Sequence, residues 1–198
     1  TDLDIPALTS ADIENLTTLA PHIDMVGLSF VRTPQDVFTL HKLLDELSDS
    51  QLGVVLKIET AQAFENLPMI LLASLRRPPV GVMVARGDLA VEIGFERLAE
   101  VQEEILWLCE AAHIPVIWAT QVLESMAKNG LPSRAEVSDA ALAIRAECVM
   151  LNKGPYILET VKFLCGVLDR MSGHQIKSRP MMRRLSVSHI PSREVETE

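Results

Sequence analysis

Apolar residues along this chain follow two alternating periods. Short continuous runs begin near Met25, Gly53, Gly81, Pro115 and Cys148, about 28 to 34 residues apart. Val54-Val55-Leu56, Val82-Met83-Val84 and Pro115-Val116-Ile117-Trp118 offer no polar residue to water, the mark of strands buried on both faces and so of a parallel sheet covered by helices. Between the runs the spacing is helical. Thr33 followed by Pro34 supplies an N-cap and a first helical residue for a helix over Pro34–Leu47. Leu98, Val101, Ile105, Leu108 and Ala112 recur on one face of another. Arg134–Ala146 and Tyr156–Met171 read as two more, and Thr9 with Asp12 fits a capping box ahead of Ile13 and Leu16. Regular strand–helix alternation predicts an α/β fold with right-handed crossovers. Periodicity alone leaves open a doubly wound sheet or a partial (β/α)8 barrel of about five parallel strands, since a closed barrel needs eight strands and about 250 residues.

The pattern stops after Met171. Residues 1–172 read as one partial-barrel domain, and residues 173–198 as a basic and polar tail, extended or disordered, with Lys177, Arg179, Arg183 and Arg184 among Pro, Ser and Met. Arg183-Arg184-Leu185-Ser186 has the form of a basophilic kinase site, although a solvated tail explains it as well. No apolar run approaches the length of a membrane span, and the first residues lack a basic-then-apolar leader, so a cytoplasmic protein with no membrane partner is expected. A net charge of −9 and an aromatic content of 4% argue against a nucleic-acid surface. Cys109, Cys148 and Cys165 are odd in number and lack metal-ligand spacing, which disfavours disulfides and zinc. No motif surrounds a histidine: His22, His41 and His113 fall at or near expected helix ends, His174 and His189 in the tail.

Charge changes the picture more than composition does. In parallel α/β folds ligands meet the C-terminal ends of strands, and the polar exceptions in this sequence fall there: Ser29 and Arg32, Lys57 and Glu59, Arg86 and Asp88, Thr120 and Gln121, Asn152 and Lys153. Lys57 and Glu59, one residue apart, share a side of their strand. They read either as a structural ion pair or as a cation that stabilises a reacting anion, with Glu59 and Asp88 as ligands of Mg2+ or Mn2+. Gly87 permits close backbone approach to an anion and can open a short helical turn. Thr120 reads as a cap of the helix after it, with a hydroxyl also available to a substrate. The acidic residues of Arg134-Ala-Glu136-Val-Ser138-Asp139 suit the early turns of a helix without any functional role.

Val84-Ala-Arg-Gly-Asp-Leu89, Ala119-Thr-Gln-Val-Leu-Glu-Ser-Met126, Ser133-Arg-Ala-Glu-Val-Ser-Asp139, Ser29-Phe-Val-Arg32, Leu56-Lys-Ile-Glu59 and Ile5-Pro-Ala-Leu-Thr9 stand in the order and spacing of the pyruvate kinases, which the chain resembles over residues 1 to about 165. The resemblance implies strands four to eight of a (β/α)8 catalytic barrel. It implies phosphoryl transfer between phosphoenolpyruvate and ADP, giving pyruvate and ATP, with Mg2+ and usually K+, in a protein that is a homo-oligomer when complete. By position, Lys57 resembles the lysine facing the transferring phosphoryl and enolate charge, Glu59 and Asp88 the Mg2+ ligands, Gly87 and Asp88 the backbone clamp on the substrate carboxylate, and Thr120 the substrate-binding hydroxyl. Arg86 falls in the same substrate-binding string. The sequence also departs from the family. Strands one to three, with the family's phosphate-binding arginine and K+ ligands, have no counterpart here, nor do its lid and C-terminal regulatory domains. Ala90 stands where Gly is usual, and Leu151-Asn-Lys-Gly154 replaces a Ser-Gly-Glu-Thr stretch and is about four residues shorter. Two other readings stay open: a Mg2+-dependent lyase or aldolase acting on pyruvate enolate, and a non-catalytic relative. For residues 1–198 alone, exposed sheet edges and an uncovered barrel interior lead to an expectation of negligible catalysis.

Overall fold

The computed structural model describes residues 6–47 and 52–174. Within them five strands, β1 (Met25–Leu28), β2 (Gly53–Ile58), β3 (Val80–Ala85), β4 (Val116–Val122) and β5 (Cys148–Leu151), form one sheet in the order β1-β2-β3-β4-β5. Every neighbouring pair is parallel, with Leu28 beside Leu56, Leu56 beside Val82 and Val84 beside Trp118. A doubly wound sheet reverses its strand order at a switch point. This order never reverses, which is the arrangement of a barrel arc. The expected tail, including the Arg183–Ser186 motif, lies outside the described residues apart from its first two positions.

Right-handed crossovers that always step the same way place their helices on one face of the sheet. That face carries Val54, Leu56, Ile58, Val82, Val84, Val116 and Trp118, all buried. The alternate residues Val55, Lys57, Gly81, Met83 and Ile117 are only half-buried, and Met25 on β1 is 65% exposed. The expectation of strands buried on both faces is therefore corrected: continuous apolar runs suit a barrel wall, but the described residues cover only its outer side.

The helices begin where capping chemistry places them. Thr9 and Asp12 form the expected capping box for α1 (Ser10–Leu19). In α2 (Pro34–Leu47) the Asp36 carboxylate accepts the N–H groups of Arg32 and Thr33 at 2.9 and 2.8 Å. Thr60 accepts the Ala63 N–H at the start of α3 (Ala61–Glu65), which leads into α4 (Leu67–Ser74). The sequence pattern predicts no helix there, because α4 is apolar on nearly every side and shows no helical period. After α5 (Arg86–Ile93), α6 (Leu98–Ala112) closes on a left-handed His113, with the Ile114 N–H returned to the Cys109 carbonyl at 2.9 Å. Next come α7 (Glu124–Asn129), α8 (Arg134–Leu142) and α9 (Ile157–Ser172). The helix expected over Arg134–Ala146 ends early, in a 3-10 turn at Ala143–Arg145.

His41 corrects a further expectation. It lies mid-way along α2, buried, and its Nε2 has no hydrogen-bond partner. Burial lowers its pKa below the ordinary 6.5, Arg77 lowers it further, and Asp45 opposes both. The unfolded chain then binds a proton more readily than the folded one, so stability is held above the ordinary histidine pKa and lost as pH falls. The urea midpoint is expected to drop between about pH 7.5 and about pH 5.5, and His41→Leu to remove part of that drop; equal pH slopes in the two proteins would count against this account.

Candidate active site at the strand ends

The rim formed by the C-terminal strand ends carries two polar clusters. The first joins β1 and β2. Lys57 Nζ lies 2.8 Å from Glu59 Oε1 and donates to Ser29 Oγ at 2.9 Å. Glu59 is 2% exposed and its Oε2 accepts the Phe30 N–H at 2.6 Å. Phe30 reaches that carboxylate from a left-handed backbone, φ 51°. A buried carboxylate is tolerable only when paired and hydrogen-bonded, and both of its oxygens are occupied here. Lys57 remains about a quarter exposed, so its cation faces both Glu59 and the open side of the rim. Arg32 leads into α2, its carbonyl accepting from Asn66 Nδ2 at 2.9 Å.

The second cluster joins β3, α5, β4 and α8. Arg86, 8% exposed, opens α5. Its Nε donates to the Ala119 carbonyl at 2.8 Å, its Nη2 to the Thr120 carbonyl at 2.7 Å, and its Nη1 to Asp139 on α8. The guanidinium stacks over Trp118, 4.6 Å from the ring centre. In return, Thr120 Oγ1 accepts the Gly87 N–H at 2.9 Å. The Thr120 hydroxyl thus caps the N-terminus of α5, from the preceding unit, and not the helix after its own strand; this corrects the capping partner expected from sequence. Asp88 is exposed in the first turn of α5.

Farther along the rim, Gln121 and Lys153 are exposed and Asn152 half-exposed. The short loop after β5 is closed onto α7: the Tyr156 N–H donates to the Ala127 carbonyl at 3.1 Å, and a Cβ on Gly154 would lie 2.1 Å from that carbonyl oxygen. Glycine is required there by close approach alone.

Glu59 and Asp88 occupy consecutive strand ends, and among the described residues no cluster of three or more acidic, histidine or cysteine side chains could hold a metal ion. Mg2+ needs only one or two protein carboxylates, with water and substrate oxygens completing its shell; the donor chemistry of Glu59 and of Asp88 is of the right kind, although both Glu59 oxygens already meet Lys57 and Phe30.

Several participants carry no chemical signal of their own, although they lie inside the Ser29–Arg32 and Ser133–Asp139 strings. Asp139 is explained there by helix-dipole complementarity, and Phe30, whose amide holds Glu59, carries no chemical label at all. Glu136 ties α8 to the first turn of α7, the helix after β4, by accepting the Ser125 N–H at 2.6 Å while forming a capping box with Ser133. Burial alone would raise its pKa, but hydrogen bonds from Ser133 and Ser125 outweigh burial and hold it below the ordinary carboxylate value. The one signal for Glu136 is the Ser-x-x-Glu spacing, which reports the cap and not the tertiary contact.

A model of the family described as pyruvate kinase, barrel domain, matches residues 1–161. The chain is 42% identical over 169 residues to the pyruvate kinase of Kluyveromyces lactis, covering 82% of this chain and 32% of the relative. It is 38% identical over 193 residues to that of Mycobacterium tuberculosis, covering 94% and 38%. With the pyruvate kinase of Clostridium acetobutylicum it shares 39% over 166 residues, covering 80% and 34%. The chain thus spans about a third of the length of the curated relatives it matches. No helix among the described residues is long and apolar enough to cross a membrane.

These geometries set the expected cost of two substitutions. Lys57→Met leaves Glu59 buried without its cation and is expected to cost about 3 kcal/mol, whereas Glu59→Gln keeps an acceptor for Phe30 and leaves a partly hydrated lysine, so it should cost less; urea denaturation giving the reverse order would contradict the pairing. Glu136→Gln is expected to cost about 1 kcal/mol at neutral pH, typical of a lost cap. Because the Glu136 pKa is depressed, its contribution is present above the ordinary carboxylate pKa and lost as pH falls, so wild type and variant should converge below about pH 4.

Proposed function

Because this chain belongs to the pyruvate kinase family, whose barrel domain matches most of its length, we propose that its gene product transfers the phosphoryl group of phosphoenolpyruvate to ADP. The observation that carries this reading is the Lys57–Glu59 pair, 2.8 Å apart at a parallel strand end, with Gly87 and Thr120 on the next two strand ends of the same rim.

Transfer forms a bond between the phosphorus and a terminal oxygen of ADP and breaks the bond between phosphorus and the enol oxygen; the enolate released takes a proton at carbon to become pyruvate. Negative charge shifts from the phosphoryl group to the enolate, and the main requirement is fixed positive charge and orientation. Lys57 supplies the cation. Glu59 and Ser29 hold its Nζ in place, so little reorganisation is needed as charge moves. The substrate carboxylate suits the first turn of α5, where the N–H of Asp88 has no partner within the helix and the Thr120 hydroxyl stands on Gly87. Arg86 belongs to the substrate-binding set through the strand end it grips. Glu59 and Asp88 would hold Mg2+ or Mn2+, which when bound neutralises phosphoryl and enolate oxygens. K+ accompanies Mg2+ in the family, with ligands on strands that have no counterpart among these residues. A cytoplasmic homo-oligomer, with no nucleic-acid or membrane partner, fits this reading.

The complete gene product, given phosphoenolpyruvate, ADP, Mg2+ and K+, is expected to form pyruvate and ATP in equal amounts. Lys57→Met, checked for native circular dichroism, should lower kcat by about 100-fold or more, and residues 1–198 alone should show negligible turnover. Absence of ATP from the complete protein would defeat the proposal. Pyruvate released from a hydroxy-keto acid would instead indicate a lyase, and binding of Mg2+ and phosphoenolpyruvate without turnover a non-catalytic relative.

A further inference from the structure

Residues 120–123 at the end of β4 hold an unusual backbone. Thr120, Gln121 and Leu123 have φ values of 65°, 57° and 49°, all left-handed and none of them glycine. Such a conformation is disfavoured for any residue with a Cβ, and most for a β-branched one. It persists only where surrounding contacts over-determine it. The sequence of this segment does not: no Gly, Asn or Asp stands at these positions to favour a left-handed turn.

The contacts come from elsewhere in the fold. Arg86 grips the two carbonyls at the bend, those of Ala119 and Thr120, and Trp118 lies beneath its guanidinium. The remaining arm of the fork meets the Asp139 carboxylate. Asp139 is carried on α8, which packs against β4 and is tied to the first turn of α7 by the Glu136 carboxylate accepting the Ser125 N–H. The Thr120 hydroxyl completes the loop by receiving the Gly87 N–H. A planar guanidinium bonded on three sides has one orientation. Without Asp139, its Nη1 side is free to turn toward water and the grip on the Thr120 carbonyl loosens.

We propose that Asp139 is a positioning residue for the substrate cradle: through Arg86 it holds the left-handed end of β4, and so sets where the Thr120 hydroxyl stands against the Gly87 amide. Its role as a substrate-positioning group rests on the phosphotransfer reading, but its control of the Thr120–Gly87 contact does not. A purely structural ion pair would stabilise the domain as a whole; a positioning pair acts on one hydroxyl and one amide.

Asp139→Asn keeps the shape and removes the charge. In the complete gene product its amide exchange is expected to rise about tenfold or more at Gly87, relative to Val84 within β3. KM for phosphoenolpyruvate should rise by a larger factor than kcat falls. Asp139→Glu, which moves the carboxylate by one methylene and keeps the pair charged, should raise Gly87 exchange and KM a few-fold with an unchanged Tm, and it decides the matter if Asp139→Asn does not fold. Gly87 exchange unchanged in Asp139→Glu, or accelerated only in step with Val84, would overturn the proposal. If the wild-type protein shows no turnover, the phosphotransfer reading fails while the exchange comparison still tests Asp139.

Discussion

A right-twisted strand followed by a helix returns to its sheet in one hand only. Repeated without reversal from β1 to β5, that constraint governs the layout of this molecule. It puts every helix on one face, every C-terminal strand end on one rim, and each βα loop beside the next. The helix-facing side of the strands is therefore sealed by Val54, Leu56, Val82, Val84 and Trp118, while Val55, Met83 and Ile117 line a half-open inner wall. The same stepping brings residues from separate units, such as Ser29 with Lys57 and Arg86 with Thr120, into hydrogen-bond contact.

On that rim the two polar clusters solve different physical problems. Around Glu59 the problem is desolvation: a carboxylate almost out of water is made tolerable by a lysine on one oxygen and a main-chain amide on the other. The cation that satisfies it remains partly open to solvent, which leaves its field available to a bound anion. Around Arg86 the problem is conformational. A strained strand end is held by side-chain donors because its own sequence does not favour the bend, and the hydroxyl at the bend then reaches the first turn of the neighbouring helix. Under the proposed phosphoryl transfer, the first cluster would supply charge and the second geometry.

Membership of the pyruvate kinase family places this rim in a larger context, since the relatives are about three times as long as the matched segment. The inner wall is half-exposed, with Met25 65% exposed at its β1 edge. The loop after β5 is the clearest local departure. Gly154 lies so close to the Ala127 carbonyl that the strand-end loop becomes a packed connection to α7.

The sequence by itself determined the alternation of strands and helices, the caps at Thr9 and Thr33, and the positions of Lys57, Glu59, Arg86 and Asp88 at strand ends, because these depend on local periodicity, on capping chemistry within four residues, and on short motifs. Helix α4 is invisible to such patterns because an element apolar all round has no period to detect, whereas His41 stands four residues after Val37 on the face of Leu40 and Leu44, so the period of α2 places it inward. Periodicity did not choose a one-way strand order over a doubly wound sheet; the family resemblance implied it, and the tertiary structure shows it. The tertiary structure alone brought Phe30 to Glu59, turned Thr120 back onto Gly87, and paired Arg86 with Asp139, 53 positions away in the chain. Those contacts join different βα units, and no local propensity encodes them; they exist because successive right-handed crossovers lay the units side by side.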